Sequence, residues 1–178
     1  LSQKGKETHK PMWEKICIDY AVSGKDNGVK DFFIKQLQII GGEATVQALK
    51  SFLNDKDLCN PALAAIVKSG SREVESVLAE SLKNKDLPCP ATVMNSLAGM
   101  KSQMAVNEYI EWSSSIDVNT RASALNALAR SGSPLALPVL TKAARDVFYR
   151  WEVTGATAAL LNYADNAGQN GDFKTMDK

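Results

Sequence analysis

Histidine is almost missing from this chain: among 178 residues there is one, His9, in a polar, lysine-rich N-terminal stretch. A Ser-His-Asp or Cys-His nucleophile needs an imidazole held in place to take its proton, and a tail residue is not so held. The same shortage excludes a multi-histidine metal site. Cysteines are few: Cys17, Cys59 and Cys89, an odd number with no C-x-x-C. That argues against a disulfide framework and a cysteine zinc site, and predicts small buried residues instead. Charge of one sign is not in excess. Lys plus Arg number 21 against 20 Asp plus Glu, a net +1 that gives no field for steering toward phosphate backbones. No apolar run approaches the ~18 residues of a membrane span, and residues 1–10 contain no apolar signal-peptide core. The chain starts at Leu1 rather than Met, as a processed or trimmed product would, so an export signal removed earlier stays open. Phosphate loops and dinucleotide fingerprints are absent too, because Gly41-Gly42 falls between two helical patterns rather than after a strand. The expectation is therefore no catalytic, cofactor-binding or metal residue, no cofactor, and no enzymatic activity from this chain.

What is present is one pattern written four times. Anchored at Gly41, Gly70, Lys101 and Gly132, it repeats about every 30 residues. Seven positions upstream stand Ile34, Leu63, Met94 and Leu125; four upstream stand Leu37, Ile66, Leu97 and Leu128. Eight downstream stand Leu49, Leu78, Tyr109 and Leu140. Apolar residues at helix spacing on both sides of a turn, recurring at this period, predict a helical solenoid.

Each repeat reads as helix A, a tight turn, helix B and a loop. The A helices are expected at Val29 to Ile40, Cys59 to Ser69, Pro90 to Met100 and Thr120 to Ser131. The B helices are expected at Glu43 to Leu53, Arg72 to Lys83, Gln103 to Ser113 and Pro134 to Arg145. A lone N-terminal helix, Pro11 to Val22, would close one edge through Trp13, Ile16, Cys17 and Tyr20. A partial fifth repeat would hold one helix, Trp151 to Ala167, with Ala156, Ala159, Leu160 and Tyr163 on its inner face. Either Phe173 and Met176 fold back over that helix, or the natural protein continues and covers it, the preferred reading. The fold class is thus all-α, with about ten helices in four full repeats (29–56, 57–85, 86–116 and 117–145), the N-terminal helix and a partial repeat at 146–178. Residues 1–10 read as a flexible tail and 11–178 as a single domain.

Polar residues punctuate the turns. Ser71, Ser102 and Ser133 stand one past the anchor, where a hydroxyl can cap helix B, and Pro134 suits the first helical position. Asp57, Asp86, Asp117 and Asp146, with Asp26 an earlier candidate, recur in the loops. Helices pack about 8–10 Å apart, too far for aspartates one repeat apart to share a cation that needs oxygens at about 2.3–2.6 Å. Capping of the following helix is the expected role.

Helix B should turn slots six, nine and thirteen past the anchor outward, placing Gln47, Lys50, Asn54, Ser76, Ala79, Lys83, Asn107, Ile110, Ser114, Pro138, Thr141 and Arg145 on one face. The aromatics Phe148, Tyr149 and Trp151 have two readings, a binding hot spot or, preferred, a cover for the core of the terminal repeat. The candidate interaction surface comprises Gln47, Lys50, Lys83, Asn107, Ile110, Thr141, Arg145 and Trp151.

The fourth unit resembles HEAT-like repeats. Asp117 and Arg121, followed by Ala122, Ala124, Leu125, Leu128 and Gly132, are similar to that family's D-x-x-x-R-x-x-A-x-x-A-L pattern, although Pro61 and Pro90 replace the arginine in the second and third units. The resemblance spans Val29 to Arg145 and implies a right-handed α-α superhelix that docks partners on its surface. The run Trp151 to Thr157, through Tyr163-Ala164, also resembles the end of HEAT-like segments in exported bacterial proteins, where a 3-keto-disaccharide hydrolase-like β domain follows. That narrower likeness implies a periplasmic or extracytoplasmic setting and an accessory role in a carbohydrate-active enzyme, and the compartment is otherwise unassigned. The leading expectation is a non-catalytic interaction or scaffold module, probed by the reading frame beyond Lys178. Its partner would be another protein or an adjacent domain, with no nucleic acid, no membrane, and weak self-association at the C-terminal edge. A nucleic-acid-binding HEAT-like protein is the further alternative, disfavoured by the balanced charge.

Overall fold

The computed structural model describes residues 9–169, and every regular element among them is helical. Two compact units divide the chain, Leu1–Cys89 and Pro90–Lys178.

The first unit begins with α1 (Lys10–Ser23), which carries a proline in its first turn and packs on α2 (Asn27–Ile40) and α3 (Glu43–Leu49). A 3-10 turn, Lys50–Asn54, extends α3. The next hairpin is α4 (Cys59–Lys68), packed on α2 and α3, followed by α5 (Val74–Ser81). The expected apolar stripes form the core: Ile34, Leu37, Leu49, Leu63, Ile66 and Leu78 are all buried. The face expected of α1 is used only in part: Cys17 is buried and Ile16 half-buried. Trp13 and Tyr20 are exposed, while Cys17 and Ala21 turn inward. Tyr20 instead stacks on Phe33, with ring centroids 4.7 Å apart.

The second unit is built around α8 (Val118–Ser131), which packs against α6 (Pro90–Gly99), α7 (Val106–Trp112), α9 (Ala136–Asp146) and α10 (Ala156–Gln169). A helix contacted on several sides must be small as well as apolar. Ser123, Ala124, Ala127, Ala129 and Ser131 are buried on α8 alongside Leu125 and Leu128. Met94, Leu97, Tyr109 and Leu140 complete the stripes. Backbone carbonyls at the helix ends find side-chain donors, as buried acceptors must. Arg130 Nε donates to Ala98 O at 2.9 Å, Gln103 Nε2 to Ser131 O at 3.0 Å and the Tyr163 hydroxyl to Ser133 O at 3.1 Å. Ala156, Ala159 and Tyr163 of α10 are buried as expected. Phe173 and Met176 lie outside the described residues.

The anchor of the repeat is a conformational slot. Gly70, Lys101 and Gly132 all adopt a left-handed φ, 68°, 55° and 65°. Lysine takes the glycine conformation itself, and Gly99 ends α6 without supplying the bend. Gly41 differs: its backbone is extended, and a Cβ there would meet Leu37 O at 2.5 Å, so close approach rather than φ requires glycine.

Three expectations about punctuation are corrected. The hydroxyls of Ser71, Ser102 and Ser133 accept from the amides of Glu73, Met104 and Leu135, two residues on, and so fold a turn before helix B rather than cap it. Helix B consequently starts at Val74, Val106 or Ala136, and Pro134 lies in the preceding turn. Of the loop aspartates, Asp26 and Asp117 cap as expected, through Val29 N at 2.9 Å and Thr120 N at 2.7 Å. Asp57 instead accepts from Asn27 Nδ2, Asp86 gives its amide to Asn84 Oδ1, and Asp146 ends α9. Asp55 takes the amides of Asp57 and Leu58. A carboxylate two residues earlier reaches the same turn.

The cysteine expectation is also overturned. Cys59 and Cys89 are buried, but they are paired as a disulfide with Cα atoms 6.2 Å apart, inside the span that such a bond bridges. The two stand at the starts of the A helices of consecutive repeats, 30 residues apart, and stacking brings those starts together. An odd count hid the pair because Cys17, buried on α1, stays free.

Candidate interaction surface

Each unit carries its own share of the outward B-helix face. In the first, Gln47, Lys50 and Lys83 are exposed. Lys50 Nζ donates to Gln47 Oε1 at 2.9 Å, and Gln47 Nε2 to Glu73 Oε2 at 2.5 Å, so neighbouring B helices are laced by polar contacts. Lys83 pairs with Glu80. Between the 3-10 turn and α5 runs an open groove of about 700 Å³, floored by Leu53 and Val77 and edged by Lys50, Asn54, Glu80 and Asn84. The Asn84 amide donates to Asn54 Oδ1 at 2.8 Å across it. Ala79, expected outward, is buried at 7% exposure, so the face is narrower than its spacing suggested.

In the second unit Asn107 and Arg145 are exposed, whereas Ile110 on α7 and Thr141 on α9 are half-buried. The outstanding feature is the loop from α9 to α10. Phe148, Tyr149 and Trp151 are 79%, 54% and 88% exposed, so they cover no core, contrary to the preferred expectation. Val153, two residues on, is exposed as well. Phe148 and Tyr149 have left-handed φ values of 53° and 55°, a conformation that bulky side chains rarely adopt and that concentrates at functional positions. Hydrogen bonds hold it there: Phe148 N donates to Arg145 O at 2.9 Å, and Tyr149 N to Ala144 O at 2.8 Å. Beside the aromatics, a hollow of about 170 Å³ is lined by Arg150, Trp151, Gly155 and Leu161.

Glu152 fixes the far end of that loop, a role the sequence reading missed. Its carboxylate accepts from Thr154 N and Thr154 Oγ1 at 2.6 Å each, and from Ala156 N at 2.8 Å, which caps α10. Burial raises the Glu152 pKa, but the Thr154 hydroxyl and the two amides outweigh it, with the Arg121 charge adding, and hold it below the ordinary value. Asp117 is lowered likewise by the Thr120 hydroxyl and amide, against a smaller effect of burial, and by Arg121. Arg121 itself donates to Ser115 O at 2.9 Å. A carboxyl with a depressed folded pKa stabilises above its unfolded value, ~4.3 for Glu, and that stability is lost as pH falls through the lower folded value. Melting curves should therefore show Glu152→Gln already destabilised near neutrality and less sensitive than the parent to acidification below about pH 4. Parallel acid profiles for the two proteins would contradict this role.

No group of three or more His, Cys, Asp or Glu among the described residues is arranged to hold a metal ion. The groove and the loop offer carboxylates, amides and hydroxyls.

Residues 120–146, which run from the first turn of α8 to the end of α9, match the family model for the PBS lyase HEAT-like repeat. No curated protein matches the chain. The match covers that one repeat.

Proposed function

Because the chain is a HEAT-like repeat protein, we propose that it is a non-catalytic docking module whose α9–α10 loop engages another protein or a neighbouring domain. HEAT-like repeats generally mediate protein interactions and are typically non-catalytic. The observation that carries the reading is the exposure of Phe148, Tyr149 and Trp151 on a backbone pinned in an unfavourable conformation. Large aromatics left in water cost free energy, which is regained when a partner covers them. In the second unit Asn107, Thr141 and Arg145, with the apolar Ile110 among them, supply surface of the mixed kind that rims such anchors, while Gln47, Lys50 and Lys83 form a polar face of the first unit in its own right.

The test uses single-site photo-crosslinking from positions 148 and 151 in source cells, repeated with Trp151→Ser in the protein probed at 148 and Phe148→Ser in the protein probed at 151. One discrete adduct from both positions, weakened at least about tenfold by either serine variant at unchanged melting temperature, is the expected result. No adduct from the loop, with a discrete one from position 50 or 83, would move the docking site to the groove of the first unit.

A further inference from the structure

We propose that the Cys59–Cys89 bond is a maturation step acquired by thiol–disulfide exchange in an oxidising compartment, and that it staples the second repeat shut. The bond joins the first residue of α4 to the residue just before α6, so the ring it closes contains all of α4 and α5, one complete helical hairpin. Cys89 is also the last residue of the first compact unit. The staple therefore fixes the point where the chain leaves that unit.

Turns beside each cysteine help to hold the two together. Cys59 N donates to Asp55 O at 2.8 Å, and Leu87 N to Asn84 O at 3.2 Å, so each lies beside a closed turn. The Asn84 to Asn54 side-chain bond then clamps one of those turns to its counterpart in the preceding repeat. Both cysteines are buried, at 0% and 7% exposure. Thiols placed side by side give the second step of exchange a high effective concentration, so a mixed disulfide formed at one is resolved by the other. Cys17 competes poorly because of its place: it lies on α1, whose main contacts are with α2 and α3, so it is not set beside either partner.

The chemistry balances with a disulfide oxidant. The thiolate of one cysteine attacks the oxidant to give a mixed disulfide, and the second thiolate displaces it. Two S–H bonds and the oxidant's S–S bond are lost, one protein S–S bond forms, and two protons and two electrons leave with the oxidant as two thiols. Such bonds persist in oxidising compartments and are kept reduced by the glutathione and thioredoxin systems of the cytosol.

The full chain, refolded in a mixture of oxidised and reduced glutathione, is denatured and alkylated without reductant, then weighed and digested. One alkylated cysteine, Cys17, and a Cys59–Cys89 linked peptide are expected, with all three cysteines alkylated after dithiothreitol. Three alkylated cysteines before reductant, or a link through Cys17, would overturn the assignment. Dithiothreitol should lower the melting temperature of the parent by about 5–15 °C, the loss expected for opening a loop of this length in a chain of this size. The Cys59→Ala/Cys89→Ala variant should melt alike with and without it. A linked parent whose melting is untouched by dithiothreitol would overturn the stapling role, whether or not the variant folds.

Discussion

Replacing Leu128 with alanine is expected to destabilise the second unit by roughly 2–5 kcal/mol. The side chain is wholly buried on α8, the helix against which α6, α7, α9 and α10 all pack. Removing it costs the transfer free energy of the lost carbons and leaves a cavity. The neighbours can do little to fill it. Ala124, Ala127 and Ala129 have no reach, and α10 is tied down by Tyr163 to Ser133 O and by Asn166 to Ala129 O. The cost should therefore fall in the upper part of the range. Urea denaturation followed by far-ultraviolet circular dichroism would read it as a lower midpoint at unchanged slope. A loss below about 1 kcal/mol would mean that Leu128 is not at the centre of the core.

The second large effect is expected from an exposed helix reaching inward. Glu14 on α1 accepts from Gly42 N at 2.7 Å, Thr45 N at 3.0 Å and Thr45 Oγ1 at 2.8 Å, all on one oxygen. It caps α3 from another helix, placing a negative charge at the positive end of the α3 dipole. Thr45 is wholly buried. With Glu14 removed, its hydroxyl and amide have no carboxylate to donate to, and water must enter to replace it. Glu14→Ala should cost about 1–3 kcal/mol, more than an ordinary cap, and Glu14→Gln should recover part of it. Chemical denaturation of the two variants would show this. Equal stability of alanine, glutamine and parent would contradict it.

The apolar skeleton was legible because burial in a helical hairpin imposes spacing on the sequence. All twelve stripe residues, from Ile34 to Leu140, are buried. A local rule wrote them, and a local rule reads them back. Contacts made between elements left no such trace. Glu14 looks like any surface glutamate until α3 is laid against it. Cys59 and Cys89 look like two small residues until their repeats stack. Turn chemistry lay between these extremes. The serine slot was visible, but whether a hydroxyl meets the amide two residues on or the first free amide of the helix depends on where the helix begins, and that is set by packing.

The interaction surface was legible in composition and not in direction. The cluster Phe148, Tyr149, Trp151 stood out, yet large aromatics serve cores and interfaces alike. What decides between them is the structure at 148 and 149, where both rings stand exposed on a left-handed backbone. No aromatic residue announces that conformation, since glycine or asparagine would be its usual occupant. A signal was available in the polar company of the cluster, Arg145, Asp146 and Arg150, which suits a solvated loop better than a covering face.

Residue-resolved native-state hydrogen exchange tests the stacked-repeat architecture most directly, because each repeat should protect its own A helix. The slowest amides should recur about every 30 residues, around Ile34–Leu37, Leu63–Ile66, Met94–Leu97 and Leu125–Leu128, with the α9–α10 loop exchanging fast. Protection without that period, or slowest exchange in the loop 148–153, would contradict it.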